Sequence, residues 1–183
     1  MRDDAWLVVI DMQVIFGDPS SQWCTPKYPD ASAGIHRLLP AFGDRVVYTR
    51  FVAPAEPAGA WVPYYRQWPF ALVPPDDPLY DLSAEFDAEG HPIVTRETFG
   101  KWGDELAAAT DGSTELVITG VSTDCCVLST ALAAADAGVH VRVPADACAG
   151  LSDADHRRAL DAMALYGPLI EITTVDDVLG GAA

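Results

Sequence analysis

Val117-Ile118-Thr119-Gly120-Val121-Ser122-Thr123-Asp124-Cys125-Cys126-Val127 reads as a strand, a turn and a helix start. Glu115 to Thr119 is a short β-branched run, suited to a strand covered on both faces. Gly120 is expected to end it, where a side chain would obstruct a sharp turn. Thr123 and Asp124 are good N-cap residues, and from Cys126 to Ala137 nearly every residue is apolar or small, as in a buried helix. A cysteine in the first turn of such a helix lies among unpaired backbone N–H groups at the positive end of the dipole. Both favour the thiolate, which is the nucleophilic form. The plain alternative is that Cys125 and Cys126 are two small buried hydrophobes. The strand–turn–helix placement favours a chemical role for Cys126 rather than Cys125.

Outward from this stretch, runs suited to buried strands alternate with helical patterns. Ala5 to Ile10 is an apolar run ending at Asp11, and Arg45 to Phe51 is the second strand. Pro92 to Arg96, Val139 to Val143 and Leu169 to Ile172 supply three more. Helices are expected over Ser32 to Leu39, stopped at Pro40, over Trp102 to Ala109, and over Ala154 to Leu165 behind a Ser152 cap. A short one is expected over Thr174 to Leu179. Such alternation implies a three-layer α/β/α fold with a mostly parallel six-stranded sheet. A parallel sheet gathers its carboxyl ends along one edge, where ligands bind. Asp11 and Arg96 both end strands, so they should meet Cys126 there; a cap or loop carboxylate is the alternative for Asp11.

The stretch from Val52 to Pro78 is long, irregular and rich in proline, and carries Trp61, Tyr64, Tyr65, Trp68 and Phe70. A loop of that length is usually functional or at an interface. Its aromatics could roof a pocket, meet a neighbouring subunit, or bury themselves as a satellite core. Phe16, Trp23, Trp61 and Tyr65 are the candidate pocket residues.

Composition narrows the classes. A chain of 183 residues is one domain of ordinary size, and half its residues are apolar, which argues against disorder. The net charge of −16, from 27 acids against 11 bases, repels phosphate backbones and anionic membranes. Nucleic acid and membrane are therefore not expected partners; a small-molecule substrate is. No apolar run approaches the roughly 20 residues needed to span a bilayer, and the first residues do not resemble a signal peptide. Cysteines at 24, 125, 126 and 148 lack metal-ligand spacing, and nothing suggests an oxidising compartment. A cytoplasmic location with free thiols is the expectation.

Gly120-x-x-Thr123-x-x-Cys126-Val127-x-x-Thr130-Ala131, with Asp11-Met12-Gln13 and Phe16 near the start, resembles the isochorismatase-like cysteine hydrolases, relatives of nicotinamidase and N-carbamoylsarcosine amidohydrolase. The resemblance runs from Leu7 to about Val175. It implies a single isochorismatase-like hydrolase domain over 1–183, with Cys126 as nucleophile and Asp11 as acid/base. It also implies a cis peptide before Ser122 and an oxyanion hole at Ser122 and Cys126, and a homo-oligomer, dimer or tetramer. The implied activity is cleavage of a small amide or related C–N bond through a thioester-type intermediate.

Two departures stand out. Nicotinamidases carry a metal site after the second strand, built from an Asp and paired histidines. The histidines here are 36, 91, 140 and 156, outside that stretch, so neither metal nor cofactor is expected. The family also places a lysine at the end of the third strand, where this chain has Arg96. Lys101, one turn later and preceded by Gly100, is the other candidate cation. Strand-end geometry favours Arg96, which stays charged but does not exchange protons as a lysine does. Two rival functions remain: a vinyl-ether hydrolase of the isochorismatase type, which lacks the Cys, and a non-catalytic binding member of the fold, for which the displaced lysine speaks.

Overall fold

The computed structural model describes residues 4–180. Its strands are β1 (Trp6–Ile10), β2 (Val46–Phe51), β3 (Ile93–Arg96), β4 (Glu115–Val121), β5 (His140–Pro144), β6 (Cys148–Ala149) and β7 (Ile170–Thr173). Its helices are α1 (Val14–Gly17), α2 (Tyr28–Phe42), α3 (Trp61–Gln67), α4 (Asp104–Ala109), α5 (Leu128–Asp136), α6 (Asp153–Ala164) and α7 (Val175–Val178). The sheet runs β3-β2-β1-β4-β5-β7, with β6 beside the far end of β4, and every pairing is parallel. The three-layer α/β reading therefore holds, with one short strand more than expected.

Period-two alternation divides the core into two layers. Leu7, Val9, Val117 and Val121 face α2, α7 and the aromatic residues, while Val8, Ile10, Leu116 and Ile118 face α4, α5 and α6. With both faces covered, the central strands read as continuous apolar runs rather than alternating ones. The chain builds outward from β1 through β2 and β3, then returns to place β4 on the other side of β1. Such a reversal opens a crevice at the carboxyl ends of β1 and β4.

Three local expectations are corrected. Gly120 does not end β4: it pairs with Ile10 on one side and Cys148 on the other, and the strand continues to Val121. The glycine is needed because its φ is +105° and a Cβ would lie 2.1 Å from the Ile10 carbonyl oxygen. Pro40 does not stop α2, which runs on to Phe42. A proline in the last turn removes only one ladder bond, and the Gly43 amide still closes the helix on the Leu39 carbonyl at 3.3 Å. The stretch after β2 is not wholly irregular either, since it contains α3 and two 3₁₀ turns, Pro69–Ala71 and Pro78–Tyr80.

Gln13 ties this stretch to the sheet. Its Nε2 donates to the carbonyls of Phe51 (3.0 Å) and Tyr80 (2.7 Å), and its Oε1 accepts from the Phe51 amide at 2.7 Å. All three bonds are buried. Gln13→Met keeps the volume but orphans both polar groups of Phe51, so it should cost about 3 kcal/mol. Urea unfolding measures that loss; a shift under 1 kcal/mol would mean that the clamp is dispensable.

Candidate active site

Asp11 leaves β1 with φ +49°, a left-handed conformation that Asp tolerates better than most residues. Its amide donates to Thr49 Oγ1 at 3.1 Å, and that hydroxyl donates to Asp11 Oδ1 at 2.6 Å. Thr49 thus holds both the backbone and the carboxylate of a fully buried residue. The other oxygen, Oδ2, lies 2.9 Å from Lys101 Nζ, with both side chains fully buried. Lys101 Nζ also donates to the Thr98 carbonyl at 2.7 Å and stands 5.3 Å from the centre of the Phe51 ring. A charged pair so enclosed persists only where each member has a fixed partner.

This geometry corrects the preference for Arg96. The Arg96 side chain reaches toward α4, where its Nε lies 3.6 Å from Glu105 Oε2, and about a third of it is exposed. Lys101 arrives because the chain after β3 folds back: its amide donates to Thr130 Oγ1 at 3.0 Å, and that hydroxyl donates to the Cys126 carbonyl at 2.6 Å. Thr130 therefore locks the lysine segment to the cysteine segment. A signal was present in the sequence, since Lys101 is one of only two lysines and sits between Phe99 and Trp102.

Beyond β4 the Val121–Ser122 peptide is cis, as the resemblance implied. Thr123–Val127 then forms a π-type turn that continues into α5. The wider turn carries Cys126 inward, where it is almost fully buried, and leaves Cys125 half-buried. Cys125 instead faces Asp124, its Sγ 3.9 Å from Oδ2. Burial is the largest influence on the Cys126 thiol and raises its pKa well above the ordinary value; neighbouring Asp11 raises it further, and Lys101 pulls it down. Burial thus works against the resting thiolate that the turn's dipole was expected to favour, and holds the proton on sulfur next to a carboxylate.

Above this floor lies a cavity of about 180 Å³. Its walls carry Phe16, Trp23, Phe51, Tyr64, Trp68 and Phe99, and Ser122, Cys125 and Cys126 reach it from the turn. Of the expected pocket residues Phe16 and Trp23 take that place; Trp61 and Tyr65 do not. Tyr65 is buried beneath its neighbours, and Trp61 packs on Phe99 at 5.3 Å, one layer behind the wall. The loop aromatics fold inward around Trp23, which is 6.0 Å from Tyr64 and 5.1 Å from Phe70. They form wall and satellite core rather than an outward apolar face.

Among the described residues, no group of three or more His, Cys, Asp or Glu side chains is placed to hold a metal ion. Nor is any helix among the described residues long and apolar enough to cross a membrane.

The buried thiols make stability sensitive to alkali. Cys148, fully buried with its Sγ 3.8 Å from the Ile118 carbonyl, is pushed up to about 12 by that burial, and Cys126 is raised in the same direction. In the unfolded chain a thiol ionises near about 8.5. Above that pH the unfolded state binds fewer protons than the native one, so stability falls as pH rises. The contribution is whole below about pH 8.5 and is lost toward the folded values, at roughly 1.4 kcal/mol per pH unit for each thiol. Urea titrations from pH 8 to 11 should show that slope, and Cys148→Ala should remove one thiol's share. An unchanged slope in that variant would contradict the account.

A doubly wound parallel sheet with a cysteine, a carboxylate and a lysine gathered at its switch point defines a three-layer α/β protein with a candidate thiol nucleophile. A model of the isochorismatase domain matches residues 5–177, and the chain belongs to the isochorismatase family. A cysteine hydrolase from Pseudomonas syringae pv. phaseolicola 1448A aligns with a TM-score of 0.85 at 20% identity, over 97% of this chain and 92% of its own. An isochorismatase-like hydrolase from Alkaliphilus metalliredigens gives 0.82 at 21%, over 96% and 97%. N-carbamoylsarcosine amidase from Thermoplasma acidophilum gives 0.73 at 19%, over 94% and 96%. At such identities the likeness shows the fold.

Proposed function

We propose that the protein is a cysteine-dependent amidohydrolase acting on a small molecule. The observation that carries this reading is the meeting of Cys126, which lines the cavity, with the fully buried Asp11–Lys101 pair beneath it. Cys126 Sγ attacks the carbonyl carbon while its proton passes to the Asp11 carboxylate. The carbonyl electrons move to oxygen, and backbone N–H groups at Ser122 and Cys126 receive the developing charge. As the tetrahedral adduct collapses, the C–N bond breaks and Asp11 gives its proton to the departing nitrogen, leaving a thioester. Water then attacks the thioester carbon and loses its proton to Asp11. The C–S bond breaks, the acid departs, and the proton returns to sulfur. Lys101 steadies negative charge, whether it rests on sulfur or on the carboxylate.

Two features support base-assisted attack over a standing thiolate. The thiol is held protonated by its burial, and the carboxylate beside it is the group able to remove that proton. The same pairing favours an enzyme over a binding protein, because a buried thiol, acid and amine are costly to assemble without a use. The vinyl-ether reading gains nothing from Cys126.

The test is ammonia release from a panel of small amides, ureides and carbamoyl compounds, with mass spectrometry to trap an acyl group on Cys126. Turnover unchanged in EDTA is expected, since no donor cluster among the described residues is placed to hold a metal. An acyl adduct on another cysteine, or none during turnover, would overturn the mechanism. The acidic chain is also proposed to act as a homo-oligomer, following its family resemblance, in the cytoplasm, where its free thiols would stay reduced.

A further inference from the structure

Resting on the amidohydrolase reading, we propose that the substrate's non-reacting end is a compact ammonium group, held by the aromatic walls and by Asp124. Six aromatic side chains line the cavity. They sit at varied angles about Trp23: Phe16 is stacked on it at 6.1 Å, while Phe51 and Trp68 meet it edge to face at 5.8 and 6.2 Å. A chamber with several ring faces suits a rounded cation, whose charge each face attracts; a flat ring would use two faces at most.

Charge decides between a cation and a neutral apolar group. Among the described residues lining the cavity there is no Lys, Arg or His, and Asp124 is the acidic side chain among them. Its Oδ1 accepts from the Leu151 amide at 3.0 Å and its Oδ2 faces the Cys125 thiol at 3.9 Å, both neutral donors. His156, on α6, is turned to Thr123 Oγ1 at 2.8 Å, and burial lowers its pKa, so it stays neutral at pH 7. Lys101 lies beneath the floor, fully buried against Asp11. Asp124 thus presents a carboxylate, with no cationic side chain beside it in the lining, to a chamber walled mostly by aromatic rings, a situation that a ligand cation relieves and a ligand carboxylate worsens. The chain's net charge of −16 draws cations in the same sense.

Size limits the group. A cavity of about 180 Å³ is near the roughly 150 Å³ that accommodates benzene, so a trimethylammonium or similar head fits and a long chain does not.

The experiment uses two amides of one shape, (trimethylammonio)acetamide and 3,3-dimethylbutanamide, which differ by nitrogen for carbon, with succinamate as the anion. The cation should exceed its neutral isostere by about tenfold or more in kcat/KM, with succinamate poorest. Asp124→Asn retains an oxygen for the Leu151 amide and should bring the cation-to-neutral ratio toward one. Trp68→Leu, at the edge of the aromatic group, should lower the same ratio. Equal cleavage of the two isosteres, or a preference for succinamate, overturns the inference and leaves the hydrolase reading standing. If neither amide is cleaved, calorimetry on Cys126→Ser separates the two ideas. Tighter binding of the cation than of its isostere upholds the inference while the hydrolase reading fails; equal or no binding of the cation overturns the inference.

Discussion

Lys101→Met should lower turnover by about 10³-fold, while Arg96→Met should leave it within about twofold. The Lys101 ammonium and the Asp11 carboxylate are both fully buried, 2.9 Å apart. Removing the amine strands the carboxylate in the core, which costs about 3–5 kcal/mol of stability. It also removes the one influence that Lys101 exerts on Cys126, a lowering of a pKa that burial and Asp11 raise. Turnover then suffers at the step where negative charge forms on sulfur. Arg96 is partly exposed and 3.6 Å from Glu105, a contact worth about 0–1 kcal/mol. Because Lys101→Met could unfold the protein, the double variant Asp11→Asn/Lys101→Met is the control. It removes both charges, so it should recover part of the lost stability without recovering activity. A single Lys101→Met variant as stable and active as the parent would refute the buried pair's role, and loss of activity in Arg96→Met would return the role to Arg96.

The same residues show which parts of the site are legible in a sequence. Strand ends are: Asp11 follows an apolar run, and Cys126 follows a strand and a turn, so a parallel sheet must bring them to one edge. Lys101 is not readable this way, because its position depends on how the backbone travels after β3 and on a hydrogen bond to Thr130 on α5. Counting along the chain assumes a straight exit, whereas this exit folds back. The aromatic loop was legible as a wall but not in detail. Trp61, Tyr64, Tyr65 and Trp68 fall along one stripe of α3 and its end, and periodicity alone does not say which of them faces the cavity. Trp23, from a different loop, decides it by packing against Tyr64 and Trp68. The protonation state of the thiol is not legible either, for a related reason. Helix-end dipoles can be read from a sequence, but burial depends on everything that closes over the site, and here it raises the pKa of Cys126.

Cys126→Ser should reduce turnover by about 10⁴-fold or more, and Cys125→Ser by about tenfold at most. The two thiols are adjacent, and burial raises the pKa of both, so resting ionisation does not separate them. Their neighbours do. Cys126 has Asp11 to take its proton and Lys101 to steady the charge that results. Cys125 has Asp124, which raises its pKa further, and among the described residues no Lys or Arg lines the cavity beside that carboxylate to balance a thiolate. A serine at 126 keeps the hydrogen-bonding site but is a far poorer nucleophile, so the fold and ligand binding should survive while kcat collapses. A serine at 125 alters only the cavity wall, so its effect should fall mainly on KM. Separate measurement of kcat and KM in the two variants checks both claims. Collapse of kcat in Cys125→Ser, with Cys126→Ser retaining turnover, would move the nucleophile one residue back and break the link to Asp11 on which the mechanism rests.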